Sequence, residues 1–329
     1  MHAATKTDPQ SGMTNPSTFR LVLIGIVSSA FFSATFLLNE VMHLQGGHWL
    51  WSAALRFLFM LVLLSAILPI SRGSAYFRRV VANYFRNLLF WTLAGGIGFG
   101  VFYSGICLAA DFAHGWVVAA TWQLTVLASP FVLMLFGKKM PRKGLTFSFL
   151  IVVGVLVLNY GRIKEGIAVS EVIHGALPAL IAAIAYPIGN QFVNSAKHNQ
   201  LGRLRLSDNE VLENPMACVL LMSLGSVPYW LALIFAIQPP APSAQQFLGS
   251  FMVALLAGVC ATSLFYFARN STTSAMQIAA VDATLAGEVV ITLVAGIAFM
   301  HQPIPDLTSW VGVLIIVLGL IGYCYKNSS

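Results

Sequence analysis

Residues 49–70 read WLWSAALRFLFMLVLLSAILPI, twenty-two positions with a single formal charge, Arg56. A helix needs about 20 apolar residues to cross a hydrocarbon core, so this stretch alone predicts a membrane span. Runs of similar character fill the rest of the chain, at Arg20–Leu38, Leu88–Ala109, Gly115–Phe136, Leu145–Tyr160, Val172–Ser195, Pro215–Ile237, Phe247–Ala268, Ala275–Met300 and Ser309–Tyr325. The expected architecture is an all-α integral membrane protein of ten transmembrane helices. Hydrophobic residues make up 58% of the 329 residues and charged ones 9%, a balance that sets water-soluble classes aside.

The charges test this segmentation. Lys6, Arg20, Arg72, Arg78, Arg79, Arg86, Lys138, Lys139, Arg142, Lys143, Lys197, Arg203, Arg205, Arg269 and Lys326 fall on one side of a ten-span chain, and only Arg162 and Lys164 on the other. By the positive-inside rule both termini are expected in the cytoplasm, with the protein in the cytoplasmic (inner) membrane. The net charge of +7 then follows from orientation. It calls for no nucleic-acid partner, because the basic residues are scattered over short loops instead of forming one stripe. Residues 1–19 are polar and are expected to form a disordered cytoplasmic tail. Cys107, Cys218, Cys260 and Cys324 are isolated within spans and lack metal-ligand spacing, so no metal, cofactor or disulfide framework is expected.

The two halves are weakly self-similar. Residues 33–40 (SATFLLNE) align with 184–191 (IAYPIGNQ), Phe102-Tyr103 with Phe265-Tyr266, and the Met140-Pro141 turn with Gln302-Pro303, in the same order. Five spans per half is an odd number, so residues 20–161 and 172–329 would form inverted-topology repeats. That plan recurs in secondary transporters, with the substrate site near mid-depth between the halves.

At these residues the chain resembles the drug/metabolite transporter superfamily, in its ten-span members with two EamA-like halves, and looks most like the multidrug resistance efflux transporter family. The stretches that carry the likeness are 47–57 (GHWLWSAALRF), 186–191 (YPIGNQ) and 309–312 (SWVG). The resemblance implies export of amphipathic, drug-like or metabolite solutes by alternating access. In many EamA-like halves the turn between the fourth and fifth spans carries a Gly-Glu pair. Here it reads Gly137-Lys138 and His301-Gln302, so no mechanism resting on that acid transfers.

Ionisable groups inside spans cost about 2.5–3.5 kcal/mol each on insertion scales, which makes them the default pathway candidates. At about 100° per residue, Gln277, Thr284, Glu288 and Thr292 share one sector of the ninth run, while Asp282 points about 120° away from Glu288. Glu288 is the better cavity-facing acid and a candidate proton carrier. A buried packing residue is the competing reading. Arg56 is always charged, so it serves either as a helix lock or as an anion contact. Asp282, nearer a helix end, reads as an ion-pair or capping group. Tyr103, Trp122, Tyr186 and Tyr266, with Gln123 beside Trp122, could line a substrate path or simply pack the core. The repeat-related Asn39 and Asn190, with Glu40, are candidate gates or helix-end hydrogen-bonders, and Pro187 with Gly189 is the strongest hinge candidate.

The reading favoured is a secondary carrier for small organic molecules, coupled to protons or to a solute gradient. An amino-acid or other metabolite exporter shares this architecture. No Walker motif, H-E-x-x-H or acid dyad supports ATP use or an intramembrane enzyme, and a non-transporting receptor is the remaining class. Ten spans with an internal repeat can enclose a pathway within one chain, so a monomer suffices and a dimer remains open.

Overall fold

The computed structural model describes residues 17–137, 145–197, 209–271, 281 and 284–328. Among them every regular element is helical. Helix α1 is Thr18–Leu44, α2 Trp49–Arg72, α3 Ser74–Arg86, α4 Leu88–Gly95, α5 Phe102–Ala109, α6 Gly115–Trp122, α7 Thr125–Leu135, α8 Leu145–Lys164, α9 Val169–Lys197, α10 Asn209–Glu213, α11 Pro215–Ile237, α12 Ala244–Val253, α13 Thr262–Asn270, α14 Ala286–Met300 and α15 Leu307–Ser328. Six helical stretches are long and apolar enough to cross a membrane, namely α1, α2, 88–109, α9, α11 and 244–265; residues 286–300 and 307–322 form shorter apolar helices.

The helix starts follow from local chemistry. Ser17, Asn214 and Ser243 accept hydrogen bonds from backbone N–H groups of the first turns of α1, α11 and α12, filling valences that a helix N-terminus leaves open. Pro215 opens α11, where its missing N–H costs nothing. The Asp306 carboxylate caps α15 through Ser309 N at 2.7 Å. Between α2 and α3 the chain turns at Gly73, whose φ of 87° suits a residue without a Cβ. The basic stretch after α2, read from sequence only as a loop, is the amphipathic helix α3. It buries Tyr76, Val80 and Tyr84 at a spacing of four.

Four of the expected spans depart from a plain α-helix. The third run keeps its course from α4 to α5 but passes through a π-helical segment, Gly96–Val101, and the eighth passes through another, Ala254–Ala261. The fourth run, expected as one helix, is two. At Gln123-Leu124 the hydrogen bonding tightens, with Gln123 N bonding to Ala120 O at 3.2 Å and Val126 N to Gln123 O at 3.0 Å. In the ninth run a turn at Thr284-Leu285 precedes α14, held by Thr284 N to Val281 O at 3.0 Å and Gly287 N to Thr284 O at 2.8 Å. A straight helical wheel therefore cannot be carried from Gln277 to Glu288. By contrast, α9 runs unbroken through Pro178 and Pro187.

The packing is paired. α1 lies against the 244–270 stretch and α14, and α9 lies against the 88–109 stretch and α7. α2 packs on the 244–261 stretch while α11 packs on the 88–101 stretch, α2 also meets α11, and α8 runs along α15. Close approaches rest on small residues: Gly98 meets Gly189 backbone to backbone, and Gly225 meets the Trp91 carbonyl. Large apolar side chains such as Leu23, Leu58, Val62, Phe235, Phe299 and Leu314 point outward, the reverse of a water-soluble surface and suited to lipid.

Candidate functional site

Two groups of polar residues inside the bundle share α1. The first lies where α1 meets the turn before α14 and α14 itself. Gly25, Ser29 and Ser33 stand at a spacing of four on α1, opposite Thr284, Glu288 and Thr292, also at a spacing of four. That spacing keeps the α1 set on one helix face and Glu288 and Thr292 on one face of α14, while Thr284 joins them from the turn that precedes α14. Ser29 Oγ donates to the Thr284 carbonyl at 2.6 Å, and Ser33 Oγ, bonded at 2.8 Å within its own helix, also reaches the Glu288 carbonyl at 3.3 Å. The Thr284 side chain fills the notch above Gly25. Thr284 and Thr292 return their hydroxyls to Val281 O and Glu288 O, each at 2.6 Å.

The threonines thus serve their own backbone, and the carboxyl of Glu288 is left as the chemically available group. Glu288 is 5% exposed, and no described residue donates to or pairs with its carboxyl. An isolated buried carboxyl of this kind can take up and give back a proton when a path to it opens. On the neighbouring face of α1, Ser28 Oγ donates to the Ala261 carbonyl at 2.8 Å, satisfying an acceptor at the end of the second π segment.

The second group centres on Tyr103 of α5. Its hydroxyl meets the Asn39 amide at 3.1 Å, and the Arg56 guanidinium lies over its ring at 4.1 Å from the centroid. Asn39 is fully engaged there, inside α1, because that helix continues to Leu44 instead of stopping at Leu38. Ser52, one turn before Arg56, is bound to Gln246 Nε2 at 2.9 Å and not to the guanidinium. Phe57 stacks on Phe99 and Trp230 with centroids 5.1 and 5.7 Å apart. Beyond Tyr103 the rings continue: Phe102 is 5.0 Å from Trp122 and 4.9 Å from Tyr186. Trp122 is the residue that ends α6, and Gln123 beside it is buried, with its amide on the Ala119 carbonyl at 3.2 Å.

At the face opposite the N-terminus, Glu40, read from sequence as a candidate gate or helix-end hydrogen-bonder, is a hub. Its carboxylate meets His114 Nδ1 at 2.7 Å, the Gly115 N–H at 2.6 Å and Gln302 Nε2 at 2.6 Å. It therefore caps the positive N-terminus of α6 and ties α1 to the connection between α14 and α15. His43 and Asp111 form a second link at 2.8 Å. Burial raises the Asp111 carboxyl from 3.8 to about 6, with His43 acting the other way. The partners could have been suspected only from polar residues flanking predicted spans, a weak signal.

At the N-terminal face a cavity of about 560 Å³ opens between α2, α11 and α13, with Leu68, Arg72, Asn214, Gly258, Thr262 and Phe267 on its walls. Gly189 is occupied in the Gly98 contact, Pro187 is buried beside it and Asn190 is half-buried. Gln277, Asp282 and the Met140-Pro141 turn lie outside the described residues, as does the side chain of Tyr266.

Residues 19–329 match the family described as "Putative multidrug resistance efflux transporter". An uncharacterized protein of Bacillus subtilis, YjlA, is 33% identical over 324 residues, covering 94% of this chain and 95% of that protein. An uncharacterized 42.1 kDa protein of Shouchella clausii is 32% identical over 273 residues, covering 79% and 67%. One solved crystal structure has the same fold, with a TM-score of 0.58 at 16% identity over 92% of this chain and 95% of its own. These likenesses agree with the bundle of apolar helices described above: the chain is a multi-pass membrane protein, not an enzyme, and it belongs to the EmrE-type multidrug resistance efflux transporter family.

Proposed function

We propose that the protein is a secondary carrier that exports small organic molecules across the cytoplasmic membrane, alternating access between two inverted five-span halves, with Glu288 as its proton-exchanging group. The observation that carries this reading is the repeat-related interruption of the spans. Breaks at Gln123-Leu124 and Thr284-Leu285 fall in the fourth and ninth runs, and the π segments 96–101 and 254–261 fall in the third and eighth, the runs that would correspond in two repeated halves. Discontinuous helices around a mid-depth site are how transporters expose backbone polar groups to cargo while keeping them from lipid.

The packing supports the same plan. Exchanging the halves turns the α1 contacts with spans eight and nine into the α9 contacts with spans three and four, and maps the α8–α15 pair onto itself. The Glu40 and His43–Asp111 links close the far face, while the cavity opens at the N-terminal face. With both termini in the cytoplasm, this is an inward-open arrangement suited to loading an exporter. A single chain supplies all these elements, so the working unit is a monomer, with protons and the solute as its partners.

Purified protein in proteoliposomes, tested with a solute panel with and without an imposed pH gradient, gives the direct test. Wild-type protein is expected to move solute faster when the gradient is present, and Glu288→Gln to lose that acceleration. Full gradient-driven flux in Glu288→Gln would refute the proton role, and absence of flux for every solute would refute the carrier.

A further inference from the structure

Arg56 is 8% exposed, about two helical turns inside α2, and no carboxylate pairs with it among the described residues. Its Nε is enclosed without a hydrogen-bond partner. Two acids at the far face, Glu40 and Asp111, are committed elsewhere: Glu40 to His114, Gly115 and Gln302, and Asp111 to His43. A guanidinium does not shed its proton, so this site holds a permanent buried positive charge, and its close company among the described residues is neutral: the ring and hydroxyl of Tyr103, the ring of Phe57 and Cys107. A ring face offsets part of the cost of leaving water, but it leaves the planar fork of N–H donors without the oxygen pair it fits best.

The aromatic wall starts at that charge. From Tyr103 the rings pass to Phe102, 5.8 Å away, and then to Trp122 and Tyr186 at the break of the fourth span. Tyr103 joins this aromatic cluster to Arg56. We infer that the transported solute is an aromatic or amphipathic carboxylate, its carboxylate paired with Arg56 and its body on the Phe102–Trp122–Tyr186 wall. The inference rests on the carrier reading for its biological meaning, but the binding site stands apart from it. It runs against the cationic cargo that Glu288 alone would suggest.

Three probes of one shape separate the possibilities: naphthaleneacetate, its neutral amide, and naphthylmethylammonium. Binding is read in detergent as quenching of tryptophan emission, and flux is read in proteoliposomes. Wild-type protein is expected to bind the carboxylate in preference to both other probes. Arg56→Gln is expected to weaken carboxylate binding on the order of thirtyfold or more, as removal of one member of a buried charge pair does, while the amide is unaffected. Arg56→Lys, which keeps the charge and loses the fork, should fall between. If Arg56→Gln does not fold, Arg56→Lys and the carboxylate-to-amide ratio in wild-type protein carry the test. Preference for the ammonium or the amide, or carboxylate binding indifferent to both substitutions, overturns the inference even if those solutes are carried. Arg56-dependent binding without flux upholds the site and refutes only the carrier.

Discussion

Gly154 and Gly312 face each other where α8 crosses α15: a Cβ on Gly154 would come within 2.9 Å of the Gly312 carbonyl oxygen, and one on Gly312 within 2.8 Å of the Gly154 carbonyl oxygen. The contact is reciprocal: each glycine leaves room for the other's backbone. Without a hydrophobic force between helices in lipid, such backbone approach is what holds a pair together. Gly312→Leu should push the two helices apart and cost about 1–3 kcal/mol, the usual range for overpacking, with Gly154→Leu doing the same. Thermal unfolding in detergent reads this. A Gly312→Leu protein that melts with the wild type would mean the crossing is not a main tie.

Glu40 should act as the latch of the far face. Replacing it with Ala removes the acceptor of the Gly115 N–H and the Gln302 amide and the partner of the half-exposed His114, and each buried donor left unpaired costs about 1–3 kcal/mol. Buried Cys107, 2% exposed in α5, is a ready reporter once the other three cysteines are Ser. Maleimide labelling of Cys107 from the far face is expected to quicken several-fold in Glu40→Ala and less in Glu40→Gln, which keeps one acceptor oxygen. Unchanged labelling in both would remove Glu40 from the closure.

The long apolar runs were legible because a span must be apolar over its whole length, whatever it packs against. The Trp49–Arg72 helix matches the predicted Trp49–Ile70 within two residues for that reason. Interruptions were not legible. Neither Gln123-Leu124 nor Thr284-Leu285 contains Gly or Pro, and the proline that did suggest a hinge, Pro187, sits in an unbroken α9. Tertiary contacts decide there: hydroxyls such as Ser29 Oγ reach across to carbonyls near the break and make a local departure from helix affordable. Arg56, Tyr103 and Glu288 could be nominated from their rarity in spans. That Tyr103 would stack on Arg56 while Ser52 turned to Gln246 depends on helix rotations that sequence spacing leaves free.

Gly25 and Thr284 form a separable pair at the break before α14. A Cβ on Gly25 would lie 2.5 Å from Thr284 Oγ1 and 2.9 Å from its Cγ2, so Gly25→Ala should destabilise by about 1–3 kcal/mol. Removing those two atoms with Thr284→Ala in the same chain should recover a large part of the loss. Contacting residues of this kind couple by about 0.5–3 kcal/mol in a double-mutant cycle. Strictly additive unfolding energies would mean that α1 does not rest on the Thr284 turn.

The His43–Asp111 link should make the closed far face sensitive to pH, with a definite sign. Asp111 sits beyond the end of α5, and burial raises its carboxyl from 3.8 to about 6. A group whose value is higher in the folded state holds its proton more tightly there, so its contribution favours the fold below about pH 4 and is lost as the pH rises through about 6. Asp111→Asn cannot titrate. Its stability relative to wild type should therefore improve steadily between about pH 4 and pH 7 and level off above. His43 lowers the Asp111 value, so His43→Ala should shift the wild-type loss to higher pH. Melting curves of the three proteins across that range provide the measurement, and parallel pH profiles for wild type and Asp111→Asn would rule out Asp111 as the titrating group of the far face.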